Sequence, residues 1–123
     1  MKVAFYDAKP YDEEFFTRQN RSGELDFTFH AFRLNESTAI TAQDSQAVCV
    51  FVNDNVNRAC LELLSENGVR LVALRCAGFN NVDLDAAAEL GISVTRVPAY
   101  SPHAVAEHAI TLFLTLNRRI HRS

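Results

Sequence analysis

The chain has 123 residues, 48% hydrophobic and 22% charged, with a formal net charge of −3. That is one domain's worth of ordinary globular composition, and the lack of a basic excess argues against nucleic acid as a partner. No apolar run reaches the ~18 residues a bilayer crossing needs, and Asp7 interrupts the apolar start, so a cytoplasmic protein without membrane span or signal peptide is expected. The three cysteines, Cys49, Cys60 and Cys76, are widely spaced and odd in number. Buried, reduced thiols are the expectation. No paired ligands at short spacing exist, so no metal site is expected. Cys76 has no histidine near it in sequence to activate it as a nucleophile.

In chain order, Lys2 to Tyr6 reads as a strand, followed by a turn from Asp7 to Pro10. Pro10 suits the first turn of a helix running to about Arg21, with acids at its start and Arg18 and Arg21 near its end. Phe15 and Phe16 supply its buried side, and Ser22-Gly23 stops it. Leu25 to Phe32 alternates apolar and polar residues, which predicts an edge strand. Leu34 to Asp44 is polar and predicts a loop with a short helix.

Ala47 to Val52 is an unbroken apolar run, expected for a strand covered on both faces. Asn57 is placed to cap a helix reaching Asn67, whose stripe is Cys60, Leu61, Leu63 and Leu64 and whose stop is Gly68. Leu71 to Leu74 is a buried strand, and a short helix follows from about Asp83 to Leu90. Ile92 to Val97 is a further apolar strand closed by Pro98. The last segment, from Ser101 to Ser123, predicts a helix whose apolar residues cover more than one packing face explains. That helix is expected to need a second partner that the chain does not contain.

Strand and helix alternate through about five strands, so the expected fold is α/β, a doubly wound parallel sheet. Small ligands bind outside the carboxyl ends of such strands. Three loops should meet there: Asn53 to Asn57, Cys76 to Asn81, and Pro98 to Pro102. The turn around Gly78 follows a strand and precedes a helix, so its backbone N–H groups suit an anion such as a carboxylate. Gly78 also reads as a plain helix-entry glycine. Arg75 is expected to brace this turn or an acidic neighbour, although reach to a substrate stays open.

Three segments carry a family resemblance: Arg75-Cys76-Ala77-Gly78-Phe79-Asn80-Asn81-Val82-Asp83, Arg96-Val97-Pro98-Ala99-Tyr100-Ser101-Pro102, and Val105-Ala106-Glu107-His108-Ala109. With them the whole chain resembles the D-isomer-specific 2-hydroxyacid dehydrogenases, loosely from Asp7 to Asp44 and specifically in the second half. The resemblance implies a flavodoxin-like substrate domain over residues 1–100 and a crossover helix over 101–123 leading to a Rossmann domain that binds NAD. It implies a small 2-oxo or 2-hydroxy acid as substrate and a homo-oligomer, dimer or tetramer. The amides of Ala77 and Gly78 would hold the substrate carboxylate, Tyr100 would contact substrate, and Phe51 would shape the pocket around a group as small as the methyl of pyruvate. Val105 would lie near the nicotinamide.

The departures are as informative. The family's catalytic arginine, histidine and orienting glutamate belong to a later part of the chain, so no catalytic residue is expected here and the chain alone should be inactive. The four glycines, at 23, 68, 78 and 91, fit no Gly-x-Gly-x-x-Gly phosphate loop. Asn80 stands where many relatives have aspartate. His30 reads as a surface strand residue, and His103, His108 and His121 sit on the last helix. His108 follows Glu107 directly, and such neighbours do not face each other on a helix.

Two other classes stay open. A phosphorylation receiver would use Asp54 after the third strand. It would also want an acidic pair after the first strand, a Ser or Thr after the fourth and a lysine after the fifth. Asp7 stands alone, and Arg75-Cys76 and Pro98 fail the last two. A non-catalytic, NAD-sensing relative of the same family differs only in residues this chain does not include.

Overall fold

The computed structural model describes residues 1–75, 79–97 and 101–122. Five strands, β1 (Lys2–Phe5), β2 (Asp26–Phe29), β3 (Ala47–Val50), β4 (Leu71–Leu74) and β5 (Ser93–Arg96), form one parallel sheet in the order β2-β1-β3-β4-β5. The helices are α1 (Pro10–Gln19), α2 (Arg58–Glu66), α3 (Leu84–Glu89) and α4 (Pro102–Arg122), with a 3-10 turn at Ala39–Ala42. This is the flavodoxin-like order, in which the chain runs outward first to one edge and then to the other. The reversal falls between β1 and β3.

Period-two alternation sends successive strand residues to opposite layers. Val3, Phe5, Ala47, Cys49, Leu71 and Ala73 face α1 and α4, together with Phe16, Ala106, Ala109 and Phe113. Ala4, Tyr6, Val48, Val50, Val72 and Leu74 face α2 and α3, together with Leu61, Leu64, Ala86 and Ala87. Every residue of β3 and β4 is buried, as expected for strands covered on both faces. β2 lies at an edge, as its alternation predicts. β5 departs from the expected apolar strand. It forms the opposite edge, and Ser93 and Arg96 are exposed because one side of an edge strand has no sheet neighbour.

The helix termini follow the local chemistry. Lys9 N–H donates to Asp12 Oδ2 at the start of α1, next to Pro10. Asn57 Oδ1 accepts from Cys60 N at 2.9 Å and opens α2. Asp83 Oδ1 accepts from Ala86 N at 3.0 Å and opens α3. Gly68 and Gly91, at φ +97° and +72°, close α2 and α3 in the left-handed region that glycine enters without penalty.

α4 packs along α1, and its Val105, Ala106, Ala109, Ile110 and Phe113 are buried. Leu112, Leu114 and Leu116 are partly buried against the same layer. The wide apolar arc that the sequence presents is therefore largely used by α1 and the sheet. No described helix is long and apolar enough to cross a membrane.

Candidate functional site

The strand order puts a topological switch point at the carboxyl ends of β1 and β3, where loops leave in opposite directions and sheets of this kind place their ligand crevice. Alternation decides which side chains reach it. Phe51 and Arg75, each directly after its strand, continue the register of Cys49 and Ala73 and so lie on the α1 side, two residues beyond the level of Phe5. Arg75 N donates to Val50 O at 2.9 Å, extending the β3–β4 ladder by one bond.

The Arg75 guanidinium is 4% exposed, deep beneath this rim. Its Nη1 lies 3.3 Å from Asp12 Oδ2, and its Nη2 donates to the carbonyls of Tyr6 and Asp7. Its Cζ stands 4.2 Å from the Phe5 ring centroid and 5.1 Å from that of Phe51. Arg75 thus braces an acidic neighbour, one of the roles expected for it. The partner, Asp12, comes from α1, because the helix packs on the layer toward which Arg75 points.

Asp7 borders the same crevice. It is buried in the left-handed region at φ +50°, an uncommon conformation for a residue other than glycine. Its Oδ1 pairs with Lys9 Nζ at 2.8 Å. Asp7 Oδ2 and Arg75 Nε have no hydrogen-bond partner among the described residues.

The loops after β3 and β4 are tied to each other. Asp54, 1% exposed, accepts from Leu34 N (2.7 Å, Oδ1) and Phe51 N (2.6 Å, Oδ2). Burial raises the Asp54 carboxyl above its ordinary range, and the two amide bonds offset that rise only in part. With both oxygens committed to backbone amides, Asp54 staples the loop rather than presenting a phosphoacceptor. Asn81 Nδ2 donates to Phe51 O at 2.9 Å and Asp54 O at 3.0 Å, and a parallel bridge joins Val56 to Val82. The segment returning from residues 76–78 is therefore anchored on the loop that carries Phe51.

Of the residues singled out in the sequence, Phe51 is half-buried at the rim and close to Arg75. Ala77, Gly78 and Tyr100 lie outside the described residues, as does Cys76. Val105 is 7% exposed within the α1-side core, which leaves little of it for a cofactor. Cys49 and Cys60 are free and buried, and burial pushes both thiols up to about 12.

His30 differs from the surface residue expected. Its ring is half-buried, 5.1 Å from the Tyr6 ring and 4.6 Å from Phe32. The backbone bonds Ala8 N to His30 O and Asp7 N to Phe32 O draw this segment against the end of β1. Sequence reasoning missed Asp7 and Asp12 as members of the rim. Acidic residues at a helix start read as dipole partners, and no local pattern tells one that also turns inward. Among the described residues, no group of three or more His, Cys, Asp or Glu is arranged to hold a metal ion.

Comparison with known proteins gives the same site a family. Residues 3–120 match the D-isomer specific 2-hydroxyacid dehydrogenase catalytic domain. The chain is 57% identical over 123 residues to D-lactate dehydrogenase of Escherichia coli (strain K12), covering all of this chain and 37% of that protein. It is 58% identical over 123 residues to a 2-hydroxyacid dehydrogenase homolog of Haemophilus influenzae, again covering all of this chain and 37% of the relative. The apo-structure of the Escherichia coli enzyme superposes with a TM-score of 0.78 at 57% identity, over 99% of this chain and 39% of that one.

The NAD-complexed D-isomer specific 2-hydroxyacid dehydrogenase of Lactobacillus delbrueckii ssp. bulgaricus superposes with a TM-score of 0.74 at 28% identity, over 98% and 37% of the two chains. The chain thus spans well under half the length of these relatives. On the match along nearly its whole length and on the shared sheet, the chain belongs to the D-isomer specific 2-hydroxyacid dehydrogenase family.

Proposed function

We propose that this chain is the substrate domain of an NAD-dependent D-lactate dehydrogenase, which reduces pyruvate to D-lactate with NADH. The observation that carries this reading is the half-buried Phe51 ring at the switch point, 5.1 Å from the guanidinium of Arg75, the last described residue before Ala77 and Gly78 in the sequence. In this reading the amides of Ala77 and Gly78 bind the substrate carboxylate, Tyr100 contacts the substrate, and Phe51 closes the space beyond its methyl group. Residues 1–100 form the substrate domain, and 101–123 form the crossover helix toward an NAD-binding domain. The whole protein acts in the cytoplasm as a homo-oligomer, dimer or tetramer.

When bound, NADH would supply the hydride. The residues of this chain do not suit its pyrophosphate, because no glycine spacing fits a phosphate loop. Val105 is the residue here assigned to the nicotinamide side, and its burial restricts it to a marginal contact. This chain's own work is to bind, orient and seclude the 2-oxo acid. Proton donation to the forming hydroxyl, and the arginine and glutamate that support it, come from the rest of the protein, so the 123-residue chain alone is inactive.

The test is NADH oxidation with pyruvate by the whole protein that carries this chain, with the chirality of the lactate determined. D-Lactate from the whole protein and no turnover by the 123-residue chain is the expected result. A folded whole protein that binds NADH without oxidising it would instead identify an NAD-sensing relative.

A further inference from the structure

We infer that Arg75 is a positioning residue that fixes the Phe51 ring at the crevice and so limits the size of the 2-oxo acid side chain admitted. This rests on reading the crevice as the substrate site. The backbone of Phe51 is already immobilised: its N–H is held by Asp54 and its carbonyl by Asn81. What remains to be set is the ring. Among the described residues, Phe51 joins neither apolar cluster, and the described partner of its ring is the Arg75 guanidinium, 5.1 Å from the centroid.

That guanidinium cannot drift. Asp12 and the carbonyls of Tyr6 and Asp7 hold its two terminal nitrogens, and the Phe5 ring lies 4.2 Å away. A planar cation can lie against rings and donate along its edge at the same time. Lysine, with its compact ammonium, cannot do both. A cation–ring contact withdrawn from water is also stronger than an exposed one, and Arg75 is 4% exposed. Substrate size would thus be read by Phe51 and set by a residue behind it that never touches substrate.

The test is a double-mutant cycle in the whole protein, with Arg75→Lys, Phe51→Leu and the pair, assayed with pyruvate and with a bulkier 2-oxo acid such as 2-oxobutyrate. Arg75→Lys is expected to lower the preference for pyruvate about tenfold, in KM more than in kcat, the scale on which one methylene is discriminated. In the Phe51→Leu background the same change should move that preference less than about twofold, because coupled residues are not additive. Equal losses with both acids, or effects that multiply in the double variant, would overturn the inference. If Arg75→Lys does not fold, Asp12→Asn replaces it in the cycle, with the same non-additivity expected and the same multiplication decisive against it. If the unmodified protein oxidises NADH with neither acid, the reading of the crevice fails, and this inference fails with it.

Discussion

Arg75 carries a full charge at 4% exposure, and Asp12 is the acid that compensates it. Removing one partner of a buried pair leaves the other uncompensated, at a cost of about 3 to 5 kcal/mol. Asp12→Ala is therefore expected to destabilise the protein by about 3 kcal/mol, the low end because two carbonyls still receive Arg75. Denaturant unfolding checks it, and a loss below about 1 kcal/mol would mean the pair is dispensable. His30 is the titrating group at this scale. Burial holds its imidazole below the ordinary 6.5, so the unfolded chain takes up the proton first. Its contribution is complete above 6.5 and is lost as pH falls below that value toward the lowered folded one. His30→Phe should accordingly lose less stability than the unmodified protein between about pH 7.5 and about pH 5.5, and the His30 ring resonances should titrate below 6.5. Arg75 was legible as a brace because it follows a buried strand directly. The inward turns of Asp12 and His30 were not, since each depends on a neighbour distant in sequence.

The elements form where local pattern and packing agree. Asn57 caps α2 as its position before the apolar stripe predicts, and Asn57→Ala should cost about 1 kcal/mol by thermal unfolding. A change within about 0.3 kcal/mol would show the cap to be idle. Phe113 is the largest anchor of α4, fully buried with its ring 6.1 Å from Phe27. Phe113→Ala should cost about 3 to 5 kcal/mol, because the sheet beneath cannot collapse to fill the space. The strands of the centre were readable from unbroken apolar runs, and β2 from its alternation. β5 was readable as a strand, but Ile92, Val94 and Val97 did not announce that it is an edge. Edge position is a property of the sheet order, not of the strand's own residues. The breadth of α4's apolar arc was read as needing a second partner beyond the chain; α1 and the sheet take up part of it, and Leu112, Leu114 and Leu116 are only partly buried.

At the scale of the whole molecule, alternating strand and helix announced a parallel sheet, and the order β2-β1-β3-β4-β5 places the crevice between β1 and β3. Family membership supports the proposal that a 2-hydroxy or 2-oxo acid binds there. Which loops meet there was half legible. The loops after β3 and β4 are tied through Asn81, whereas the β1–α1 turn with Asp7 and Lys9 was not foreseen as part of the rim. The central claim is that main-chain amides at positions 77 and 78 grip the substrate's acid group. Proline has no N–H to offer, so the most direct measurement is the KM for pyruvate of a folded Ala77→Pro whole protein. A hydrogen bond to a charged group is worth about 1.5 to 3 kcal/mol, so that KM should rise at least about tenfold, with the KM for NADH nearly unchanged. An unaltered KM for pyruvate would contradict the account.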